Sequence, residues 1–235
     1  MLKEAIILGG GVGSRLQPAV NDRPKPLAEV AGRPFITIMM DQLLAAGVKR
    51  FIISTGHMAE KYHQILGYMY GEASIIYSHE AEPLGTGGAF NKAQRLVKSK
   101  AFFAMNGDDF VDFDFKEWAL WFTNRPNFSG SILVTPVRDC SAYGTVKFGE
   151  KNKKITSFRE KGKGSGEGYI STGVYILQKD LFEQTPETEK FSIEYDCFPK
   201  WTKKGLGAYE YSGTFIDIGT PESYARMDKW LRKNG

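Results

Sequence analysis

The sequence predicts an α/β fold in which a doubly wound, mixed but mostly parallel sheet is joined to a small lobe rich in hairpins. In the first half, short apolar segments alternate four times with helical ones, and the first apolar segment runs directly into glycines. In the second half, strand-like segments follow one another through short polar turns. We expect a single domain over residues 1–235, with one half at about 1–130 and the other at about 131–235.

The elements of the first half follow from apolar runs and their spacing. Residues 3–8 form a short apolar segment bounded by glycine, as expected of a buried parallel strand. Apolar residues spaced as on one helix face begin at Ile36, so we predict a helix between Pro34 and Gly47. The other predicted elements are strands at 50–54, 74–78 and 101–105 and helices at 59–66, 88–97 and 115–122.

The second half is predicted to contain strands and one long terminal helix. The strand-like segments lie at 131–137, 144–148, 155–159, 170–177 and 214–218. The terminal helix runs from Pro221 to about residue 232, because Thr220 is suited to the N-cap and proline to the first helical position.

Charge, cysteine content and apolar stretches indicate which kinds of substrate and partner the protein can bind. The formal net charge of +4 suits a small anionic substrate and is too weak to indicate nucleic acid. Cys140 and Cys197 lie far apart, which argues against a zinc site or a disulfide framework. There is no secretory signal and no apolar stretch of the roughly 18–20 residues that a membrane span needs. We therefore expect a cytoplasmic protein with no membrane or nucleic-acid partner.

A glycine-rich loop follows the first predicted strand and carries the main functional signal. Glycine lets backbone N–H groups approach a ligand closely, and an arginine and a lysine nearby indicate a polyphosphate. The loop lacks the GK[ST] of a P-loop and the third glycine of the dinucleotide-binding pattern. The alternative is a strand-to-helix turn that merely needs small residues. The residues expected to contact the polyphosphate are Leu8, Gly9, Gly10, Gly11, Gly13, Ser14, Arg15 and Lys25.

Two further segments are predicted to lie beside this loop. The carboxyl ends of parallel strands meet at one edge of a sheet, and ligands bind there. The glycine loop, residues 80–88 and Asp108 all follow strands of the predicted sheet. We expect them to be neighbours, and we expect Asp217, which follows the last strand, at the same edge.

Five motifs in this order resemble those of the sugar-1-phosphate nucleotidyltransferases, over essentially the whole chain. They lie at residues 8–27, 82–89, 106–108, 159–161 and 217–221. The resemblance implies a Rossmann-like, GT-A-like nucleotidyltransferase fold whose hairpin lobe binds the sugar. It also implies transfer of a nucleoside monophosphate from an NTP to a sugar 1-phosphate, with release of pyrophosphate. Gln17 departs from the family pattern, where a second arginine is expected.

The resemblance assigns the catalytic groups, and the chemistry independently asks for them. Two anions must be brought together, so cations must offset their repulsion, and Mg²⁺ (or Mn²⁺) prefers carboxylate oxygens. Asp108 and Asp217 are the expected metal ligands. The alternative for Asp108 is a structural role in a turn or helix cap, and three nearby aspartates compete with it for the role of metal ligand: Asp109, Asp112 and Asp114. The alternative for Asp217 is a role as a helix cap. The catalytic residues implied are Arg15, Lys25, Asp108, Lys161 and Asp217.

Two groups of residues are implied for the base and the sugar. A carboxylate accepts two parallel N–H bonds from guanine, so Glu80 and Glu82 favour GTP. Nucleotide contacts are implied for Glu80, Pro83, Gly85, Thr86, Gly87, Asn106 and Gly107. Sugar-phosphate contacts are implied for Gly144, Glu160, Lys161, Thr172 and Glu194; for Glu194 a helix-start carboxylate near Ser192 is the alternative.

Within the family, the sequence is most similar to guanylyltransferases that act on D-glycero-α-D-manno-heptose 1-phosphate. Mannose-1-phosphate guanylyltransferases, and thymidylyl-, uridylyl- or cytidylyltransferases of glucose or amino sugars, remain alternatives. An inactive binding homologue is disfavoured because the expected charged residues are all retained. An NAD-dependent enzyme is disfavoured because the second strand ends in Ser54-Thr55-Gly56 without an acidic residue. A homodimer is an open alternative to a monomer.

Overall fold

The structure is a computed structural model that describes residues 2–141, 143–159, 162, 165–183, 185 and 190–234. The strands are β1 (Glu4–Leu8), β2 (Glu29–Val30), β3 (Arg33–Pro34), β4 (Arg50–Thr55), β5 (Met69–Tyr70), β6 (Ala73–His79), β7 (Ala101–Asn106), β8 (Asp109–Val111), β9 (Gly130–Val137), β10 (Thr145–Phe148), β11 (Ile155–Arg159), β12 (Gly168–Gln178), β13 (Leu206–Glu210) and β14 (Phe215–Asp217). The α-helices are α1 (Phe35–Ala45), α2 (Ala59–Leu66), α3 (Gly85–Ala93), α4 (Phe115–Thr123), α5 (Phe198–Trp201) and α6 (Pro221–Asn234).

The main sheet confirms the predicted mixed, mostly parallel arrangement of the first half. β1 lies between β4 and β7 and is parallel to both, and β6 continues the parallel set beyond β4. β12 then pairs antiparallel with β7, β9 and β10, and β11 completes a hairpin with β10. None of the helices in the described part of the chain is long and apolar enough to cross a membrane.

Side chains of β1 alternate between two cores, which explains why the sheet carries helices on both faces. Ile7 packs in a core shared with α1, α2, α4 and α6, whereas Ile6 packs in a core shared with α3 and α5. Both side chains are fully buried. A strand buried on both faces is apolar throughout, as the sequence of β1 is.

Helix α3 begins at Gly85, three residues before the predicted start at residue 88. A contact from a distant segment is the reason. The Gly87 and Gly88 N–H groups donate to the Phe191 carbonyl at 3.0 and 3.3 Å, so the otherwise unpaired donors of the first turn are satisfied. A Cβ atom at Gly87 would lie 2.3 Å from the Phe191 ring. The glycines predicted as a loop are therefore the packed first turn of a helix.

The last strand, β14, lies outside the main sheet, contrary to the prediction. It pairs antiparallel with β8 in a two-stranded ribbon, with Asp217 opposite Asp109. The Ile218 N–H also donates to the Asp108 carbonyl at 2.9 Å. A three-residue strand such as β8 is too short to be recognised by periodicity. The ribbon brings the second aspartate motif to the first.

A glycine bends β12 where the two halves of the structure meet. Gly173 has φ +75°, and the pairing of β12 with β9 shifts register between Ser171 and Tyr175. Beyond the bend β12 pairs with β7, and before it β12 pairs with β10. One strand thus belongs to both the parallel sheet and the hairpin lobe, and the bend marks the boundary between them.

A buried carboxylate anchors the opposite edge of the sheet. Glu4 accepts hydrogen bonds from the Lys98 and Ser99 N–H groups, the Ser99 hydroxyl and Arg50 at 2.6–3.1 Å. Burial alone would raise the pKa of Glu4, but these donors and the Arg50 charge together lower it. The ionised form therefore ties β1 to β4 and to the segment that leads into β7.

We predict that Glu4→Gln lowers the free energy of unfolding by about 2 kcal/mol at pH 7, because a charged acceptor is lost from several hydrogen bonds. The folded pKa is depressed, so this stability is present above the unfolded value near 4.5 and is lost as pH falls through the folded value. Urea unfolding at pH 7 and pH 4 measures both. The matched control is Glu72→Gln, an exposed glutamate paired with Lys49, and an equal loss in both variants would contradict the anchor.

Candidate active site

Two adjoining cavities open at the carboxyl edge of the parallel strands. The first, of about 360 Å³, is lined by Leu8, Gly9, Gly10, Gly11, Gly13, Lys25, Pro26, Glu80, Pro83, Gly85, Thr86, Ala89, Asn106, Gly107 and Asp108. The second, of about 690 Å³, is lined by Arg15, Asn106, Asp108, Asp109, Tyr143, Gly144, Phe158, Ser171, Gly173, Tyr175, Glu194, Tyr195, Phe215, Asp217, Thr220, Glu222, Ser223 and Arg226. Asn106 and Asp108 line both. The two cavities therefore meet at the end of β7.

The glycine loop is packed tightly against its neighbours on the side away from the cavity. The buried Tyr62 hydroxyl donates to the Gly9 carbonyl at 2.9 Å, and a Cβ atom at Gly9 would lie 2.3 Å from that hydroxyl. A Cβ atom at Gly107 would lie 2.0 Å from the Leu8 carbonyl oxygen. Both positions exclude any larger residue. These glycines bring the ends of β1 and β7 together, in addition to leaving room for a ligand.

Lys25 and Asp108 form an ion pair on the wall of the first cavity. The ammonium nitrogen lies 2.7 Å from Asp108 Oδ2. Lys25 is held in a short 3₁₀ turn between Pro24 and Pro26, which fixes the backbone that presents it. The lysine side chain is mostly buried, so its charge acts at close range in a poorly solvated position.

Two more carboxyl groups, those of Asp109 and Asp217, lie close to the Asp108 member of this pair. Asp108 and Asp109 follow β7, and Asp217 ends β14 directly opposite Asp109. Burial raises the pKa of Asp109 well above its usual range, with further contributions from Asp108 and Asp217. Burial, followed by the charge of Asp108, likewise raises the pKa of Asp217, although Lys25 and Arg15 oppose the shift. Burial and mutual repulsion thus disfavour ionisation of Asp109 and Asp217 at this place.

Asp109 is held on the side of the bend in β12. It accepts a hydrogen bond from Asn106 Nδ2 at 3.0 Å. A Cβ atom at Gly173 would lie 1.8 Å from Asp109 Oδ2, so that glycine is required for the carboxyl group to fit. From the sequence, Asp109 is only a competitor of Asp108, and nothing singles out Gly173. The Asp-Asp pair is visible in the sequence, but the bend that receives it is not.

The donor set of Asp108 and Asp217 fits a hard divalent cation. Asp108 Oδ1 and Asp217 Oδ2 have no hydrogen-bond partner among the described residues, whereas the second oxygen of each is held by Lys25 or by the Gly219 N–H. In the described ranges, no three or more His, Cys, Asp or Glu side chains, including Asp108, Asp109 and Asp217, are arranged so that they could hold a metal ion together. Mg²⁺ commonly takes one or two carboxylates together with phosphate oxygens of a substrate. Two free carboxylate oxygens at the junction of the cavities match that requirement.

One of the two glutamates singled out in the sequence lines the first cavity, beside Gly10 of the glycine loop. Glu80 is buried, and accepts hydrogen bonds from the Ser54 hydroxyl at 2.7 Å and the Leu84 N–H at 3.1 Å. Glu82 is exposed and stands apart from the residues that line the cavity. Glu80 is therefore the carboxylate placed to face a base, and Glu82 is not.

The second cavity receives most of the described residues expected to contact the sugar. Gly144 and Glu194 line it, together with the aromatic side chains of Tyr143 and Tyr195. Thr172 is not brought to the site: it is fully buried, and its hydroxyl donates to the Leu133 carbonyl at 2.9 Å. The side chains of β12 alternate, so its neighbours Ser171 and Gly173 line the cavity instead. Glu160 and Lys161 lie outside the described residues.

The positions of Arg15 and Ser14 differ from the expectation. Arg15 lines the second cavity rather than the first, and its guanidinium lies 3.0 Å from the position of a Cβ atom at Gly219. Ser14 is exposed and stands outside the linings of both cavities, as does Gln17. The turn after Gly13, which has φ +65°, directs the chain away from the first cavity.

Two charged side chains of the second cavity were missed by sequence reasoning. Glu222 and Arg226 lie one turn apart on α6, which begins directly after the Asp217 motif. An amphipathic terminal helix gives no sign of which polar residues face a site. Only the ribbon of β8 and β14, which docks this helix beside the sheet, places them there.

Comparisons with known proteins agree with this geometry. The D-glycero-alpha-D-manno-heptose 1-phosphate guanylyltransferase of Aneurinibacillus thermoaerophilus is 37% identical over 232 residues, covering 97% of this chain and 98% of its own. The catalytic subunit beta of mannose-1-phosphate guanylyltransferase from Drosophila melanogaster is 34% identical over 94% of this chain and 60% of its own length.

A solved structure gives the same result. HddC from Yersinia pseudotuberculosis, crystallised as a complex with GMP-PN, superposes with a TM-score of 0.81 and 31% identity, covering 98% of this chain and 100% of its own. The sequence model of the family described as "Nucleotidyl transferase" matches residues 4–234. The chain is therefore an enzyme of the nucleotidyl transferase family.

Proposed function

We propose that this enzyme transfers the guanylyl group of GTP to D-glycero-α-D-manno-heptose 1-phosphate and releases pyrophosphate. The observation that carries the proposal is the pair of cavities that meet at Asn106 and Asp108, one lined by the glycine loop and the other by the hairpin lobe. Such a pair accommodates two anionic substrates with their phosphates at the junction. The similarity to heptose 1-phosphate guanylyltransferases supports this choice of substrates.

The first cavity suits a guanine nucleotide. Guanine presents two parallel N–H donors, and the buried Glu80 carboxylate that lines the cavity can accept both. Each carboxylate oxygen of Glu80 has one protein donor and keeps capacity for another. The glycine loop and Lys25 then lie near the triphosphate. The crystal structure of HddC as a complex with GMP-PN, a guanine nucleotide, supports the choice of base.

The reaction needs positioning and charge compensation more than proton transfer. A phosphate oxygen of the sugar 1-phosphate attacks the α-phosphorus of GTP, a new P–O bond forms, and the bond to the β-phosphate breaks. Pyrophosphate leaves with that electron pair. Because the attacking oxygen is already anionic, no general base is required. The junction at Asp108 is where the two phosphates must approach.

Cationic groups offset the negative charge that accumulates at the junction. Lys25 faces the first cavity and Arg15 the second, so each substrate meets one fixed cation of this chain. Asp108 and Asp217 would hold Mg²⁺, or Mn²⁺, through their unpaired oxygens. When bound, that ion polarises the α-phosphate and neutralises charge on the departing pyrophosphate. Lys161 and Glu160 are proposed to contact the phosphate and hydroxyls of the sugar.

Mannose 1-phosphate is the second candidate acceptor. The similarity to a mannose-1-phosphate guanylyltransferase catalytic subunit favours it, although this chain spans 60% of that relative. Both sugar phosphates place the same anomeric phosphate at the junction. They differ at the end of the sugar away from the phosphate. Initial rates with GTP and each of the two sugar phosphates therefore separate the candidates.

We predict that Asp108→Asn lowers the rate of pyrophosphate release from GTP and heptose 1-phosphate by about 100-fold to 1000-fold, because a ligand and a charge are lost at the junction. A coupled pyrophosphate assay measures the rate at saturating Mg²⁺. The matched control, Asp112→Asn, changes an exposed aspartate outside both cavities and is expected to keep the rate within about twofold. Normal turnover by the Asp108 variant would overturn the role assigned to this carboxylate.

We predict that Glu80→Gln lowers kcat/KM for GTP by about 10-fold to 100-fold and reduces the preference for GTP over ATP and UTP. The reason is the loss of a charged acceptor for two guanine donors. The measurement is initial rates with each NTP at one fixed concentration of heptose 1-phosphate.

The control for this variant is Glu82→Gln, three residues from α3 and exposed, which should leave the NTP preference unchanged. Thermal unfolding of both variants shows whether the Glu80 change disturbs the fold. A folded Glu80 variant with the wild-type preference for GTP, or a wild-type enzyme that prefers UTP or TTP with glucose 1-phosphate, would contradict the guanine assignment.

A further inference from the structure

The segment at residues 190–197 lines the second cavity and packs against α3, which lines the first. It runs through Phe191 and Ser192 into a π-helical turn that spans Ile193–Cys197. Phe191 packs on the first turn of α3, which forms a wall of the first cavity, and Glu194 lines the second cavity. A contact that belongs to both substrate sites at once is a candidate for communication between them.

Main-chain hydrogen bonds hold this segment on α3. The Phe191 carbonyl accepts from the Gly87 and Gly88 N–H groups, and the Phe191 N–H donates to the Leu84 carbonyl at 3.1 Å. A Cβ atom at Gly85, which has φ +70°, would lie 2.6 Å from the Phe191 carbonyl oxygen. The close approach thus depends on glycine at this position. The segment and the first turn of α3 form one packed unit.

A side-chain bond extends this unit across the boundary between the cavities. Thr86, which lines the first cavity, donates its hydroxyl to Glu194 Oε2 at 2.7 Å and accepts from the Ile193 N–H at 3.0 Å. The Thr86 hydroxyl is therefore fixed by one donor and one acceptor, both from the distant segment. The first turn of α3, which lines the first cavity, and the Glu194 carboxylate, which lines the second, therefore share a hydrogen bond.

The two oxygens of Glu194 have different roles. Oε2 accepts from both Thr86 and Ser192, the latter at 2.9 Å, so its lone pairs are used within the protein. Among the described residues, Oε1 receives only the longer bond from the Tyr175 hydroxyl, at 3.3 Å. One acceptor position on Oε1 is left for a hydroxyl of a ligand in the second cavity. The bond to Thr86, which is the shortest of these three, contributes to the direction of that position.

We infer that the Thr86–Glu194 hydrogen bond makes binding of the nucleotide and of the sugar 1-phosphate interdependent. A nucleotide that contacts the first turn of α3 holds Thr86 in this bonded position, and Thr86 in turn holds Glu194 where it can accept a hydrogen bond from a sugar hydroxyl. The sugar 1-phosphate then binds with less loss of side-chain freedom. Thr86 is a positioning residue that acts through Glu194. The inference rests on the proposed function, because it needs both substrates in the two cavities.

The coupling is measured by calorimetry on the whole chain with Mg²⁺ in excess. The nucleotide probe is a GTP analogue with a methylene group between the α- and β-phosphorus, which prevents turnover. The second probe is D-glycero-α-D-manno-heptose 1-phosphate. We expect each ligand to tighten the Kd of the other by about tenfold, and by the same factor in both orders of addition, as linkage requires.

Two substitutions at Thr86 distinguish the effect of its hydroxyl hydrogen bond from the effect of its side-chain packing. Thr86→Val keeps the branched shape but removes the donor, and it is expected to reduce the coupling to about twofold or less. Thr86→Ser keeps the hydroxyl and is expected to retain most of the coupling. Thr123→Val is the matched control, since its hydroxyl bonds to the Ala119 carbonyl within α4, away from both cavities.

The same bond can be broken from its other partner. Glu194→Gln is expected to remove the coupling, and the double variant Thr86→Val, Glu194→Gln should lose no more of it than either single variant does. Glu72→Gln, at an exposed ion pair, is the control for the change from glutamate to glutamine.

Each outcome decides the inference. Independent binding of the two ligands to the wild-type chain, or full coupling in Thr86→Val, would overturn the shared bond while leaving the proposed function intact. Failure of the wild-type chain to bind heptose 1-phosphate under any condition would overturn the proposed function, and the inference with it. Coupling that is lost in Thr86→Val and kept in Thr86→Ser supports it.

Discussion

Repulsion among carboxylates at the end of β7 is the constraint on which the rest of the site depends. Asp108, Asp109 and Asp217 meet where two further anions must be accommodated. The raised pKa values of Asp109 and Asp217 show that burial and mutual repulsion disfavour their charged forms. Lys25 offsets Asp108 directly at 2.7 Å. A cation on the remaining oxygens would relieve the repulsion and bind the substrate phosphates at the same point.

Close packing of glycines explains how segments distant in the sequence reach that point. Gly9 and Gly107 bring the ends of β1 and β7 together, and Gly173 makes room for the Asp109 carboxyl group. Gly85 and Gly87 admit the Phe191 segment against the first turn of α3. In each case a side chain larger than hydrogen would occupy the space of another atom. The glycines thus act between protein segments as much as toward a ligand, which is why so many of them cluster at one edge of the sheet.

The parallel half of the fold could be predicted from the sequence because the burial pattern of each element is visible within a short segment of the chain. The apolar run of β1 and the helical spacing in α1 and α2 reflect burial on one sheet and its covering helices. The first turn of α3 and the separate ribbon of β14 could not be predicted, because Phe191 and β8 stabilise them from far along the chain. Tertiary contact overrides local pattern at such places.

The residues of the candidate site likewise fall into those that the sequence could predict and those that it could not. The glycine loop, Lys25, Asp108 and Glu80 could be predicted to lie together because residue type and position after a strand indicate an anion-binding edge, and they line one cavity. Thr172 was placed wrongly by a shift of one residue in β12, which turns a side chain to the opposite face. The charged residues of α6 were missed because their approach depends on the docking of a whole ribbon.

The stereochemical course at the α-phosphorus tests most directly the claim that the two cavities bring the substrates together for one displacement. The substrate is GTP whose α-phosphate is made chiral by a sulfur atom, and the configuration of the guanylyl sugar formed from heptose 1-phosphate is determined by phosphorus NMR. Direct attack across the junction at Asp108 predicts inversion. Retention of configuration would require a guanylylated enzyme between two displacements, and it would contradict direct transfer between the two cavities.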